Sequence, residues 1–467
     1  MTDCAHSRAQ IGDSRFHGHN YSTPASRRIF CDDCRIRRWT GVEAALAEAE
    51  AEIGLIPAEA AHAIAAAVQA ETIDLDAVAL GIRRTSHSLV AVLGGLQEAC
   101  DGDAGEYVHY GATTQDIQDT GQALEMRAVL DEVDAELAAL IARLVQLAKA
   151  ERDTLMTGRT HARPALPTTF GLKVASWLDE LLRHTERLEA VRRRVVVAQL
   201  FGGVGTMAGF GTSGPLLLDS FARRLGLGVP IVGWHVSRDR VAEFVVSLAM
   251  VAATSARISE EISILSRPEF GELEQGFTHG HIGSSTMPHK RNPESCEQVV
   301  VLARLARSSA TESLEAMIGE HERDGRSLRM EWPAVANVSH STLAALSVVG
   351  RVLDGLKVHR GRMAEAARGS ADSICSEALM LALARHIGKQ SAHALVYELS
   401  QTAQTSGGSL QEALLASPQV TSHLKAEELA DVFDPGRYLG SAGPLVDAAV
   451  GAAESWLSRQ EGGGGGG

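Results

Sequence analysis

The sequence predicts an all-α fold of three helical domains built around a long central helical bundle. Three observations carry this. From Met126 onward the apolar residues Met126, Leu130, Val133, Leu137, Leu140, Leu144 and Leu147 recur in alternating steps of four and three, the spacing of a bundle seam. Three further long helical patterns, Leu172 to Val196, Val241 to Leu265 and Glu294 to Ile318, are joined by short loops, as a bundle requires. Aromatic residues make up only 4% of the chain, so the core must consist mainly of Leu, Val and Ala.

With 467 residues the chain has room for more than one domain and a large core. Its formal net charge of −14 argues against wrapping nucleic acid over the bulk surface, so any anion site must be a local basic pocket. No apolar run reads as a membrane span, and Met1 to His6 lack the charged-then-apolar order of a secretory signal; a cytoplasmic protein is expected. Six scattered cysteines do not form a disulfide framework. Cys31-Asp32-Asp33-Cys34 has metal or redox spacing, but no second such pair exists, and the run from Arg28 to Ala47 reads as helix. Two ordinary helix cysteines, and no metal, are expected there.

In chain order, residues 1–20 are polar and aperiodic and read as a loose extension. Ser22-Thr23-Pro24 opens an N-terminal helical domain over 21–120, marked by Ile29, Trp39, Val42 and Leu46 and broken at Gly54 to Pro57. Arg83 to Ser88 precedes an apolar helix from Leu89 to Leu96. Thr85 or Ser86 suits the helix cap there, and His87 is either a solvated helix-start histidine or a site residue. Tyr107 to Asp116 sets His109, Thr113, Thr114 and Gln115 before a new helix, a set that hydrogen-bonds a carboxylate or simply caps the helix. The central bundle spans 121–368. Between its first two helices, Gly158 to Gly171 holds two prolines, which make a stiff turn, and His161, which can exchange a proton near neutral pH; Arg163 adds a bidentate anion clamp.

Phe201 to Thr206 is a glycine-rich turn without the strand and helix setting of a dinucleotide fingerprint. Ser237 to Arg240 is a helix start. After Glu320, Arg323, Arg326 and Arg329 lie in a polar cluster that is either a salt-bridged solvated face or an anion site. Shorter helices form a C-terminal domain over 369–457, and the glycine run of 458–467 carries no fold.

The densest chemistry is Gly283-Ser284-Ser285-Thr286-Met287-Pro288-His289-Lys290-Arg291-Asn292-Pro293, a loop feeding a helix. Backbone N–H groups and Lys290 can hold a carboxylate, Asn292 can donate to an oxygen that gains charge, and a serine among such donors loses its proton more easily. This stretch resembles the signature of the fumarase/aspartase superfamily. With His289 and Arg291, it is similar to the branch of adenylosuccinate lyases and 3-carboxy-cis,cis-muconate cycloisomerases. The resemblance extends from Tyr21 to Leu457.

It implies a homotetramer that eliminates a group from a substituted succinate to give fumarate, without metal or organic cofactor. Residue by residue, it implies Ser284 as the base, with Lys290 and Asn292 on the substrate carboxylate. Thr113 and Thr114 would contact substrate, Asp116 would order their loop, and His161 would protonate the leaving group or order a water. His87 matches a histidine placed at the active site. Because the three signature regions come from different subunits, Thr114, His161 and Ser284 would meet only on assembly. Three departures bear on the substrate. Asn20-Tyr21 stands where adenylosuccinate lyases carry an Arg-Tyr phosphate anchor, Arg163 replaces a common glutamine, and Glu331-Trp332 follows the cycloisomerase form. The missing anchor weighs against adenylosuccinate and His161 against lactonisation, which leaves a compact anionic succinate, with nitrosuccinate as the leading expectation. Carboxymuconate cycloisomerase, an adenylosuccinate-type C–N lyase, and a structural protein that keeps the fold without activity are the alternatives.

Overall fold

The computed structural model describes residues 10–276, 286–287 and 289–463, and 72% of it is helix. The chain divides into two compact units. Over their described residues, the first comprises Met1–Leu137, His184–Ala256 and Gln298–Val348, and the second Ala138–Arg183, Arg257–Glu297 and Val349–Gly467.

In the first unit, the described part of the N-terminal extension is seated rather than loose. It forms 3-10 turns at Ile11–Asp13 and Gly18–Asn20; Ser22 Oγ donates to Gly12 O at 3.0 Å, and Gln298 Nε2 donates to Asn20 O at 2.8 Å. Helix α1 (Pro24–Phe30) starts with Pro24 at its first position and a reciprocal capping box between Thr23 and Ser26. The helix expected from Arg28 to Ala47 is broken: Cys31 is extended (φ −67°, ψ 150°), and α2 (Asp32–Glu52) begins after it. Then come α3 (Ala58–Ala70), α4 (Leu75–Thr85), capped by Asp74, and α5 (Val90–Ala99). Ala47, Ile56, Ile64, Leu96 and Val108 form a small shared core among these short elements.

The long helices are α6 (Thr114–Ala150), α7 (Phe170–Val195), α9 (Asp239–Leu265), α10 (Glu294–Glu315) and α11 (Gly325–Asp354), with α8 (Gly214–Leu225) between α7 and α9. The seam residues of α6 are buried from Met126 to Leu144, and Leu147 is half-buried. α9 is long and apolar enough to cross a membrane, with a mean hydropathy of 1.6, contrary to the expectation that no run is. That stretch is 72% buried within the protein, which is the pattern of a core helix. α11 runs on through Pro333.

The gap between α6 and α7 is a β-hairpin rather than a proline-stiffened turn. β1 (Leu155–Thr160) pairs antiparallel with β2 (Arg163–Thr169), with a register shift at Gly158/Arg159. A two-stranded sheet has only edge strands, so Pro164 and Pro167 fit without breaking a ladder. β3 (Leu273–Glu274) pairs with β4 (Lys357–Val358). In the second unit, α12 (Arg360–Gly369), α13 (Ala371–Ile374), α14 (Ser376–Ile387) and α15 (Lys389–Ser406) lead to α16 (Leu410–Ala416), α17 (Pro418–Thr421), α18 (Ala426–Val432) and α19 (Ala442–Gly463). Ile374, Leu379, Leu383, Leu414, Val420 and Leu429 lie in one core cluster there.

In the first unit, α6 passes α2 closely at Gly121, where a Cβ would stand 2.7 Å from Trp39 Cδ1 and 2.9 Å from Nε1. Trp39 is buried and cannot withdraw into solvent. Gly121→Ala should therefore lower the free energy of urea unfolding by about 1–3 kcal/mol through overpacking; an unchanged midpoint would contradict this contact.

Candidate active site

The Thr113 loop is built outward from Asp116, a fully buried carboxylate in the first turn of α6. Its two oxygens accept from the N–H groups of Thr113 (3.0 Å), Phe201 (2.9 Å) and Gly202 (2.9 Å), and His235 Nε2 lies 2.9 Å away. The glycine-rich stretch at 201–206 is thus a turn pinned beneath the loop, and Asp116 orders that loop.

One turn on, Asp119 accepts from Arg238 Nη1 and Nη2, both at 2.9 Å, and from Gln115 Nε2 at 3.0 Å. Arg238 also donates to Glu331, from Nε at 2.7 Å and from Nη2. All three side chains are buried. Burial works against the guanidinium charge, and Asp119 and Glu331 more than restore it; burial also pushes the Glu331 carboxyl up, with Arg238 opposing. Arg238, expected at a helix start, is the tie between α6 and α11.

Gln115 lies in this network. It donates to Asp119 and to His235 O (2.9 Å), and its Oε1 accepts from Arg323 Nε at 3.1 Å. Its amide is therefore held by protein groups. Arg323 Nη1 also donates to Thr113 Oγ1 at 2.6 Å. Both acceptors are neutral, and among the described residues Arg323 has no carboxylate partner, whereas Arg326 is neutralised by Asp324 and Glu320. The result is an exposed, uncompensated guanidinium held against Thr113, next to Thr114 at the start of α6, where helix N–H groups also favour an anion. Arg329 is exposed and makes no ion pair among the described residues.

His109 stands in the left-handed region (φ 65°), with Nδ1 2.7 Å from Glu43 Oε1. Burial works against its imidazolium, but Glu43 and then Asp116 raise it above the ordinary histidine range. On the same helix as Glu43, Glu50 is buried, and neither of its oxygens has a hydrogen-bond partner among the described residues. Burial, with the Glu43 charge, pushes Glu50 up to about 9. His87 Nδ1 accepts from the N–H groups of Leu89 (3.3 Å) and Val90 (3.2 Å), so the histidine itself, rather than Thr85 or Ser86, supplies the acceptor at the start of α5.

In the second unit, His161 and Ala162 form the two-residue turn between β1 and β2, with φ of 50° and 61°. Positive φ at both central positions defines a type I′ turn, which usually takes Asn-Gly. His161 and Arg163 are exposed at this tip. Below it, Arg159 donates to the buried Glu272 (3.0 and 2.5 Å) and covers the Phe270 ring, which ties the hairpin to the segment that leads into 277–285. Ser284 lies outside the described residues. Lys290 is exposed, and its ammonium has no partner among the described residues; Asn292 is half-buried just before α10. A cavity of about 230 Å³ opens beside them, lined by Glu274, His289, Arg291, Pro293 and His359 among others.

The comparisons with known proteins show the family. A family described as lyase matches residues 13–306, and one described as adenylosuccinate lyase C-terminus matches 372–449. The chain is 40% identical to N-acetyl-S-(2-succino)cysteine lyase of Dickeya dadantii over 93% of its own length and 95% of the relative's. It is 36% identical to 3-carboxy-cis,cis-muconate cycloisomerase of Bradyrhizobium diazoefficiens, over 92% and 96%. A crystal structure of fumarate lyase from a Mesorhizobium species superimposes with a TM-score of 0.86 at 37% identity, covering 92% of this chain and 98% of that one.

Two measurements test the buried charges. Arg238→Met leaves Asp119 and Glu331 facing each other unpaired and should cost about 3–5 kcal/mol in chemical denaturation; a loss within the error of the measurement would contradict the network. Glu50 keeps its proton up to about 9 when folded but ionises near the ordinary 4.5 when unfolded. Its contribution to stability is therefore full below about 4.5 and is lost as pH rises towards 9. Across that window, the stability of the wild type should fall relative to Glu50→Gln by up to about 1.4 kcal/mol per pH unit. Parallel profiles would show that Glu50 is not held neutral.

Proposed function

The chain belongs to the fumarase/aspartase superfamily of lyases, and from that premise we propose that it removes a thiolate from a 2-succinyl thioether, giving fumarate and a free thiol. Ser284 takes the proton beside a carboxylate, and the resulting aci-carboxylate is held by Lys290, Asn292 and loop N–H groups. Thr113, Thr114 and Arg323 hold the second carboxylate. Gln115 acts from beneath, by fixing Arg323. Sites are completed between subunits of a homotetramer.

The observation that carries the choice of leaving group is His161 at the tip of the hairpin. A non-glycine residue in the left-handed region is strained, and such strain persists where function holds it. An imidazole can donate a proton, and a thiolate, whose conjugate acid has a pKa near 8.5, leaves more readily when protonated. Nitrite leaves as a stable anion and has no use for a proton donor. Arg163 adds a fork beside His161, suited to a further carboxylate on the thiol portion. The two relatives named N-acetyl-S-(2-succino)cysteine lyase, 40% and 39% identical, support the same class. Nitrosuccinate is the second reading, favoured by Arg163 alone, because a guanidinium also fits the two oxygens of a nitro group.

A substrate panel decides. N-acetyl-S-(2-succinyl)cysteine, nitrosuccinate, adenylosuccinate and 3-carboxymuconate are assayed for fumarate and co-product. Fumarate with free thiol is expected from the first, with Ser284→Ala lowering kcat by about 10²–10⁴-fold and Arg323→Met acting mainly on KM. His161→Asn should slow thiolate release and spare any turnover of nitrosuccinate. Fumarate with nitrite as the dominant products would move the assignment to nitrosuccinate, and lactone without fumarate would overturn elimination altogether.

A further inference from the structure

Cys31-Asp32-Asp33-Cys34 does not lie inside a continuous helix. The break after α1 makes Cys31 the N-cap of α2 and Cys34 its third residue, with the Cys34 N–H donating to Cys31 Sγ at 3.3 Å. Residues three apart at a helix start have roughly the 4.4–6.8 Å Cα separation that a disulfide bridges. The two differ in access: Cys31 is exposed and Cys34 half-buried. The remaining described cysteines lack this character. Cys296 and Cys375 are buried, which pushes their thiols up to about 12 and about 11, and Cys100 donates to Leu96 O within its own helix.

Cys31 also faces a cavity of about 760 Å³, whose lining includes Asp13, Arg15, His19, Arg27 and Asp33. Charges of both signs around that space suit a zwitterionic, amino-acid-derived molecule rather than a simple anion.

We propose that Cys31 and Cys34 form a thiol–disulfide exchange site that takes a low-molecular-weight, amino-acid-derived disulfide at this cavity. Cys31, as thiolate, attacks one sulfur of the small disulfide; the Cys31–S bond forms, the S–S bond breaks, and one small thiolate leaves. Cys34 then loses its proton and attacks the Cys31 sulfur, expelling the second small thiolate. The protein dithiol is oxidised by two electrons to the Cys31–Cys34 disulfide, the small disulfide is reduced to two thiols, and these take up the two protons. The hydrogen bond to Cys31 and partial burial push the Cys34 thiol up, so exposed Cys31 attacks first and Cys34 resolves.

The test equilibrates the full chain with mixtures of reduced and oxidised glutathione, quenches with acid, alkylates with N-ethylmaleimide and maps the peptides by mass. As the oxidised fraction rises, both alkylation sites should disappear together and return together with dithiothreitol. Cys34→Ser should trap one glutathione on residue 31, whereas Cys31→Ser should leave residue 34 alkylated. Bis(hydroxyethyl) disulfide, without charges, should oxidise the pair several-fold more slowly at equal concentration. Independent glutathione adducts on both residues of the wild type, or two thiols that stay alkylatable at every ratio, would overturn the proposal. Equal rates with the two disulfides would remove the cavity from it. None of these readouts depends on the elimination reaction.

Discussion

Much of the first unit depends on one buried cation. The Arg238 guanidinium sits between Asp119 on α6 and Glu331 on α11, with the Trp234 ring 5.0 Å beneath it. A buried charge is tolerated only when its partners are placed well, and the same holds in reverse for the two carboxylates. The three side chains therefore set the relative position of the helices that bear them. From Asp119 the ordering passes to Gln115, from Gln115 to Arg323, and from Arg323 to Thr113. The residue left at the surface with unbalanced charge is the one the proposed function places on a substrate carboxylate.

This division between supporting and acting groups recurs. Asp116 accepts three backbone N–H groups so that the Thr113 loop needs no regular structure of its own. Arg159 and Glu272 do the equivalent for the hairpin beneath His161. In both places a fully buried carboxylate fixes a short segment, one a loop and one a hairpin, that carries candidate ligand-binding side chains.

The bundle was legible because period and burial coincide along α6 from Met126 to Leu144. The supporting network was not, although its trace is there: the same alternation of four and three continues upstream through Gln122, Asp119 and Gln115. Seam positions that turn polar signal a buried network, but the partners lie at 238 and 331, and single-chain spacing does not connect them. The hairpin was missed because Thr160 to Pro164 lacks the Asn-Gly signal of a type I′ turn and carries a proline that argues against a strand. α11 holds Pro333 in its interior, where the proline removes the bond to the Arg329 carbonyl without ending the helix. The end of α1 at Cys31 left no glycine or proline to mark it. The Thr113 loop, the hairpin and the signature stretch drew attention for their chemistry, which residue types alone disclose. How Arg323, and not Gln115, comes to face outward does not follow from residue types.

His161 at a type I′ turn has an evolutionary consequence. Folding alone would favour asparagine or glycine there, since either takes the left-handed region with less strain. Random drift at this position therefore runs towards greater stability, and selection for stability cannot maintain the histidine. A lineage that abandoned the reaction but kept the fold would be expected to lose His161 early, while Asp116 and Arg238, on which packing depends, would persist. If His161 acts as proposed, the hairpin tip is a position where function and backbone preference oppose each other, and the histidine there is retained by its chemistry alone.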